Sequence, residues 1–466
     1  MPSIDSIPVS IPEMDTLDEV REAAVTALLE TIRNHYGGTY PPQFMKCQND
    51  ADRRILAYKY LRACDWRSKD AMCMVTTTMK FREQNNADSL TLFPCVFSIR
   101  GFDQEDLCHT LNEPYTGPDK QFELFSLVAA PYYSAGYHYW DKEGHPILYD
   151  FSGRCNVKEL LKAYASITPV GKQEKDIILQ YHLYTNLIQE RLVRYADVKS
   201  VERGCRRVIG VTVIMDTEGL HLKMFGSRIV DIVRAIFNMD QAYFPETLHR
   251  LLVINCPSVV MHAFGLLRGS LHRNTQRKFV FCSKANSVAV LKKIIDEDKI
   301  PKFLGGSCEC AGGCVPGIDS VSKGLADVSA FIPRTEDITI LAGKRYTSEL
   351  MLQPGEEVQW EFKCTKSKGG HVTDIYFHAS FMPDDELEVS SCSLSDPSVD
   401  PRRSPKTFQR TSERSKVLRV LRSERVEMDN GRFVSSERGM LKLVWDNHTS
   451  WVHGKHVQLR ISRSWG

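Results

Sequence analysis

The chain has no run of about 18 uninterrupted apolar residues, so no segment is expected to cross a bilayer as a helix. It has no Gly-rich phosphate loop of the P-loop type and no G-x-S-x-G nucleophile elbow, and no C-x-x-C pair occurs. Those absences leave no nucleophile–base pair or metal cluster to place, and the expectation is that the chain is not an enzyme. Net charge is almost missing too: 60 Lys and Arg against 58 Asp and Glu leave +2. That balance argues against nucleic acid as a partner, while a local patch can still meet a membrane surface. Residues 1–19, MPSIDSIPVSIPEMDTLDE, carry prolines and acids but no apolar core, so they are not read as a signal peptide. The expected location is cytoplasmic, with peripheral association with membranes.

Within those limits the composition is that of an ordinary globular protein. Hydrophobic residues make up 42% and charged residues 25% of 466 positions, enough for two or three domains. The 14 cysteines are expected to be reduced and mostly buried as small hydrophobes. Asn447-His448-Thr449 is a glycosylation sequon, expected to stay unmodified without export.

Residues 1–16 read as a disordered lead. From 17 to 36, Val20, Ala24, Ala27, Leu28 and Ile32 recur at helical spacing, and a Gly-Gly and Pro-Pro pair ends the helix at 37–42. Two more helices fit 52–85, broken at Cys64-Asp65-Trp66, with Ser68 as the expected cap of the second. Strand patterns at 146–151, 208–215, 250–255 and 278–282 then alternate with helical runs at 177–195, 221–238, 259–271 and 288–295. This is α/β order with a mixed or parallel sheet. After a linker at 311–334 the pattern changes to short alternating strands separated by turns, a β-sandwich signature from 335 to 466. A stretch from 384 to 425, acidic at first and strongly basic at its end, reads as a disordered insertion in the sandwich.

Two family resemblances rest on quoted blocks. AGYHYWDKEGHPILYDFSG, VTVIMDTEGL, AYFPETLHRLLVINCP and PKFLGG, in that order, resemble the CRAL-TRIO domain of phosphatidylinositol-transfer proteins, and RILAYKYLRACDWRSKDAMCMVTTTMKFRE resembles the helical lobe preceding it. ELMLQPGEEVQWEFK and MLKLVWDNHTSWVHGKHVQLRI resemble a GOLD domain, as in patellin-like lipid-transfer proteins. The resemblance implies an α+β multidomain chain: a helical lobe over 17–110, a CRAL-TRIO lipid-binding domain over 111–310 and a GOLD β-sandwich over 335–466. It also implies a lipid ligand, most simply phosphatidylinositol, with no other cofactor. The implied partners are phospholipid, a transient membrane surface in vesicle trafficking and a protein partner of the GOLD domain.

Such a carrier must shield acyl chains, worth about 0.8 kcal/mol per buried CH₂. For roughly thirty groups the sum is on the order of 20 kcal/mol, an upper bound. By resemblance, the helix at 261–271 is the gate over the pocket, with Phe264, Leu267 and Leu271 at helical spacing, Arg268 beside them, and Gly265 and Gly269 easing its movement. A core amphipathic helix is the alternative. The family's headgroup residues fall on Glu246, in YFPETLHR, and on Thr275 and Lys278, in RNTQRKFVF. Lys278 offers an ammonium to the phosphodiester, Thr275 a hydroxyl, and Glu246 accepts from inositol hydroxyls. A structural Glu246–Lys278 ion pair is the other reading.

The chain also departs from the pattern. Where the lobe is expected to hold a basic pair it has Cys64-Asp65, and Val211 and Asp240 stand where phosphatidylcholine-binding members use serine, which argues against that second ligand. Residues 171–206 match no part of the pattern. Cys308, Cys310 and Cys314 in CECAGGC have a spacing that could bind zinc, but only three thiols lie close and a turn of free thiols is the favoured reading, and His138, His145 and His182 show no ligand spacing. Asp216-Thr-Glu218 reads as a turn. Serines among the arginines of 402–425 suit a phosphorylation-controlled switch, or the tract is a solvated linker. Two rival functions stand beside lipid exchange: a carrier of a tocopherol or isoprenoid, and a GOLD-based trafficking adaptor that senses lipid.

Overall fold

The computed structural model describes residues 17–465, apart from 96, 171, 222–223, 225, 258–259, 261–264, 266–268, 270, 320–334, 366–373 and 384–418. The expected lead, most of the expected insertion and three of the four gate residues, Phe264, Leu267 and Arg268, lie outside the described residues. The chain divides into two compact units, Met1–Ser166 with Glu174–Ala326, and Ile167–Gln173 with Asp327–Gly466.

The first unit opens with helices at Glu19–His35, Asp50–Ala63 and Ser68–Gln84. The first two are capped as their sequences suggest: Asp18 accepts from Arg21 N and Asn49 from Asp52 N. Asp65 and Trp66 take positive φ angles of 50° and 63°, which turns the chain where the break is expected. Ser68 is not the cap; Arg67 is, with no side-chain capping bond, and its Nε instead donates to the Cys64 carbonyl across the turn. Val25, Leu28, Ile32, Phe44, Tyr60 and Val75 form the buried core of this lobe.

A six-stranded mixed sheet follows, built from β1 (Ser98–Arg100), β2 (Ala135–Trp140), β3 (Pro146–Asp150), β4 (Val211–Asp216), β5 (Leu248–Ile254) and β6 (Phe279–Phe281) in that order. All neighbours are parallel except β2 and β3. β4 starts at 211 rather than 208 because the backbone N–H of Val208 is taken by Asp197 Oδ1 at 2.7 Å. Asp216 acts in a turn: its Oδ1 accepts from Glu218 N and Asn255 Nδ2.

The region 171–206, which matches no part of the pattern, supplies a core element of the first unit. Its helix, Glu174–Glu202, buries Leu183, Leu187, Ile188 and Leu192 together with Asn186 and Arg191, and so belongs to the core of the unit. The expected linker also begins too early. Cys314 and Val315 are buried, and Asp319 accepts from both of their backbone N–H groups, so residues 311–319 pack with the first unit.

The second unit is a sandwich of two four-stranded antiparallel sheets. One runs β11 (Arg419–Val426), β10 (Ile375–Pro383), β13 (Gly439–Asp446), β8 (Arg345–Leu352). The other runs β12 (Met428–Val434), β9 (Glu356–Cys364), β14 (Lys455–Trp465), β7 (Thr335–Ile340). Trp360, Phe362, Phe377, Phe381 and Trp445 interlock between them. Residues 419–425 are therefore strand, not insertion: β11 pairs with β10, and Arg422 and Arg419 are neutralised by Asp429 and Glu437. Asn447 of the sequon is fully buried, with Nδ2 donating among the carbonyls of Ile340, Leu341 and His453. Its amide is structural.

Candidate lipid-headgroup site

Three elements of the first unit meet at Glu246. The residue lies in the tight connection between the helix Ser227–Tyr243 and β5, where Thr247 Oγ1 donates to the Phe244 carbonyl and Val211 N to the Thr247 carbonyl. Its φ of 54° is left-handed, a conformation a glutamate adopts only when its surroundings hold it. Lys278, just before β6, places Nζ 2.9 Å from Glu246 Oε2 and 2.5 Å from the Leu248 carbonyl oxygen. Arg62, on the last turn of Asp50–Ala63, brings Nε to 3.5 Å from the same carboxylate oxygen and donates through Nη1 to Tyr58 Oη. All three side chains are largely buried.

Burial by itself would raise the Glu246 carboxyl, but Lys278, Arg62 and Lys59 outweigh it and hold the group below the usual range. Lys278 is pushed below the ordinary lysine range by burial, against the pull of Glu246. Lys59, one turn before Arg62, is lowered by burial as well, countered by Glu190, Asp197 and Glu246. The result is a buried carboxylate shared by more than one cation. A site of that kind can exchange a protein anion for a phosphodiester without bringing a new charge out of water.

The structure brings Glu246 and Lys278 into contact and sets Thr275 in the short helix Arg273–Gln276, where its carbonyl accepts from Lys278 N. Leu271 is buried against Leu251, Val253 and Phe279. Sequence reasoning missed Arg62. It looked for the second basic group at positions 64 and 65, while Arg62 itself reaches the carboxylate. Asp65 instead pairs with His272 Nε2 at 3.4 Å. Asp240 is held by His182 Nε2 at 2.6 Å and Asn186 Nδ2 at 2.8 Å, so it is an anchor between two helices.

Beside the site, Val213 and Met215 of β4 and Phe281 of β6 are only half-buried on one face of the sheet. The helix Ser227–Tyr243 is apolar on one side yet fully buries Ile232 alone among its residues. A separate cavity of about 80 Å³, lined by both apolar and polar side chains, lies under Tyr243, Phe244 and Thr247, against Lys59, Glu190 and Asp197. It has room for two or three waters, far below the roughly 300 Å³ at which ligand pockets begin. Among the described residues, no helix is long and apolar enough to cross a membrane.

Residues 131–306 match the family described as the CRAL/TRIO domain. Among curated proteins, "Phosphatidylinositol/phosphatidylcholine transfer protein SFH13" of Arabidopsis thaliana is 30% identical over 203 residues, 42% of this chain and 30% of that protein. "Protein real-time" of Drosophila pseudoobscura pseudoobscura is 26% identical over 291 residues, 61% of this chain and 36% of that protein. The chain spans about a third of the length of these relatives. The solved structure of Sfh5 aligns with a TM-score of 0.37 at 15% identity, covering 59% of this chain and 81% of that one.

Proposed function

We propose that the chain binds one phosphatidylinositol in its CRAL/TRIO domain and exchanges it between membranes. The observation that carries this reading is the buried Glu246, shared by Arg62 and Lys278, beside a sheet face whose apolar side chains are incompletely covered. The acyl chains take the apolar face and the phosphodiester approaches Lys278 and Arg62. Residues 261–271 are read as the gate that lets the lipid in and out, with Phe264, Leu267, Arg268 and Leu271 as its side chains. No covalent chemistry is involved. Lipid extraction and mass spectrometry of the purified chain test this: a stoichiometric inositol phospholipid is expected, and a neutral hydrophobe alone would overturn it. One observation favours that second outcome: Lys278 Nζ already has two protein partners, Glu246 and the Leu248 carbonyl. If the pair is structural, the cargo is an uncharged isoprenoid type.

The C-terminal sandwich is read as a GOLD domain that supplies membrane or protein contacts. At one end of it the turn after β13 exposes Trp451 at 94% and Val452 at 77%, an unusual display for a large aromatic in water. Trp suits the bilayer interface, and its partial insertion is worth about 1.4 kcal/mol or more, one factor of ten. Trp451→Ala is therefore expected to weaken cosedimentation with phosphatidylcholine–phosphatidylserine vesicles about tenfold. Unchanged cosedimentation would place the membrane contact elsewhere.

A further inference from the structure

The turn that closes the first unit gathers four metal-binding side chains. His138, on β2, is fully buried, and its Nε2 lies 3.4 Å from Cys310 Sγ and 3.6 Å from Cys308 Sγ. The two sulfurs are 3.6 Å apart, and Cys314 completes a set whose donor atoms all lie within 4.8 Å of one another. We propose that His138, Cys308, Cys310 and Cys314 hold one structural zinc ion.

The distances favour one tetrahedral ion over the other fates of clustered thiols. With Zn–S near 2.3 Å and Zn–N near 2.0–2.1 Å, the edges of a tetrahedron are about 3.8 Å between sulfurs and about 3.6 Å between sulfur and nitrogen. The separations among His138 Nε2, Cys308 Sγ and Cys310 Sγ match those edges. A Cys308–Cys310 disulfide would bring the sulfurs to about 2.0 Å. Iron–sulfur clusters need room for several metal atoms between their ligands, which this spacing does not leave. Magnesium and calcium want oxygen donors, and the set offers none.

The local chain is shaped to deliver these donors. Gly312 and Gly313 take φ angles of +75° and +87°, which other residues rarely adopt, so the chain doubles back and returns Cys314 towards Cys310. Asp319 fixes the returning strand by accepting from Cys314 N at 2.7 Å. Cys308 is set by its N–H to the Ile300 carbonyl and by its own carbonyl, which accepts from Lys302 N. Three thiolates, one neutral imidazole and Zn²⁺ sum to a single negative charge. Arg100 on the neighbouring β1, whose Nη2 reaches the Gly312 carbonyl at 3.5 Å, lies where it offsets that charge. Binding releases three thiol protons to solvent. The ion ties β2 to a turn 170 residues later and so closes the domain on itself. Nothing in this inference depends on which lipid the domain carries.

The test is metal analysis of the full chain, purified without chelator. About one zinc per chain is expected by plasma mass spectrometry, released when a mercurial blocks the thiols. Replacement by Co²⁺ should give the visible bands of a tetrahedral site with sulfur-to-cobalt charge transfer. Cys310→Ser should lose at least fivefold of the zinc, while Cys205→Ser, at an exposed cysteine remote from the cluster, should keep it. Wild-type stoichiometry and the cobalt spectrum need no variant, so misfolding of Cys310→Ser cannot mask the result. Metal-free protein whose clustered thiols react at once with Ellman's reagent would overturn the proposal. So would full zinc retention in both Cys310→Ser and His138→Ala.

Discussion

Lys278→Ala is expected to reduce phosphatidylinositol transfer between vesicles by ten- to a hundredfold. A charge-assisted hydrogen bond to a buried partner is worth about 1.5–3 kcal/mol, and each 1.4 kcal/mol is a factor of ten. Removing the ammonium takes away a cation for the phosphodiester and leaves Glu246 with Arg62, 3.5 Å away. The same substitution takes the closest cation from a buried carboxylate, so loss of transfer could also come from loss of fold. Lys278→Met combined with Glu246→Gln separates the two. It removes both charges at similar volume and should restore much of the stability without restoring transfer. Wild-type transfer rates in a folded Lys278→Ala protein would remove Lys278 from the headgroup site. In that case a lowered melting temperature together with retained neutral cargo would identify the pair as structural.

How far the sequence revealed this site depended on separation along the chain. Glu246 and Lys278 were legible because the blocks that carry them are specific. Arg62 was not, because the reading fixed on the residues after it. Helical periodicity defines where Arg62 lies in its helix but not that the helix end faces β5. His138 and the three cysteines show the same limit more sharply. A motif is a local pattern, and a ligand 170 residues away contributes nothing to it; only the pairing of β2 into the sheet brings the imidazole to the turn. The helix at 177–195 was legible in the sequence, but its place in the core was not. Several of its buried side chains are polar, Arg191 held by an ion pair with Glu113 and Asn186 by a hydrogen bond to Asp240, so it has no clean apolar stripe. Strand β11 was hidden by its arginines. They mark an edge strand whose outer face meets water, a composition shared with solvated linkers. The lobe helices, the buried run of β4 and the alternating strands of the sandwich were legible because each carries its own period.

The largest effect on stability is expected at Arg82. Its side chain is 1% exposed, yet its guanidinium grips Asp88 with Nη2 at 2.7 Å and Nε at 3.1 Å and reaches Glu190 through Nη1 at 2.9 Å. It thereby joins the helix Ser68–Gln84 to the centre of Glu174–Glu202. Arg82→Met keeps much of the volume but takes the closest cation from two largely buried carboxylates, Asp88 and Glu190. Breaking a buried pair from one side costs roughly 3–5 kcal/mol. Burial raises the Glu190 carboxyl, but Arg82, Arg191 and Arg194 overcome this and hold it at about 2. Its folded value therefore lies below the unfolded one near 4.3, and the unfolded chain binds the extra proton. The stabilisation from this group is complete above about pH 5 and fades as the pH falls towards about 2. In Arg82→Met the main compensating charge is gone and the Glu190 carboxyl rises. The gap between wild type and variant should thus be widest near neutrality and narrow in acid. Urea titrations read by amide exchange in Glu174–Glu202, at pH 7 and pH 4, report on this unit alone. A difference below about 0.5 kcal/mol at pH 7, the range of an ordinary surface substitution, would show that the network contributes no net stability. A gap that widens in acid would mean that Glu190 is not held ionised by Arg82.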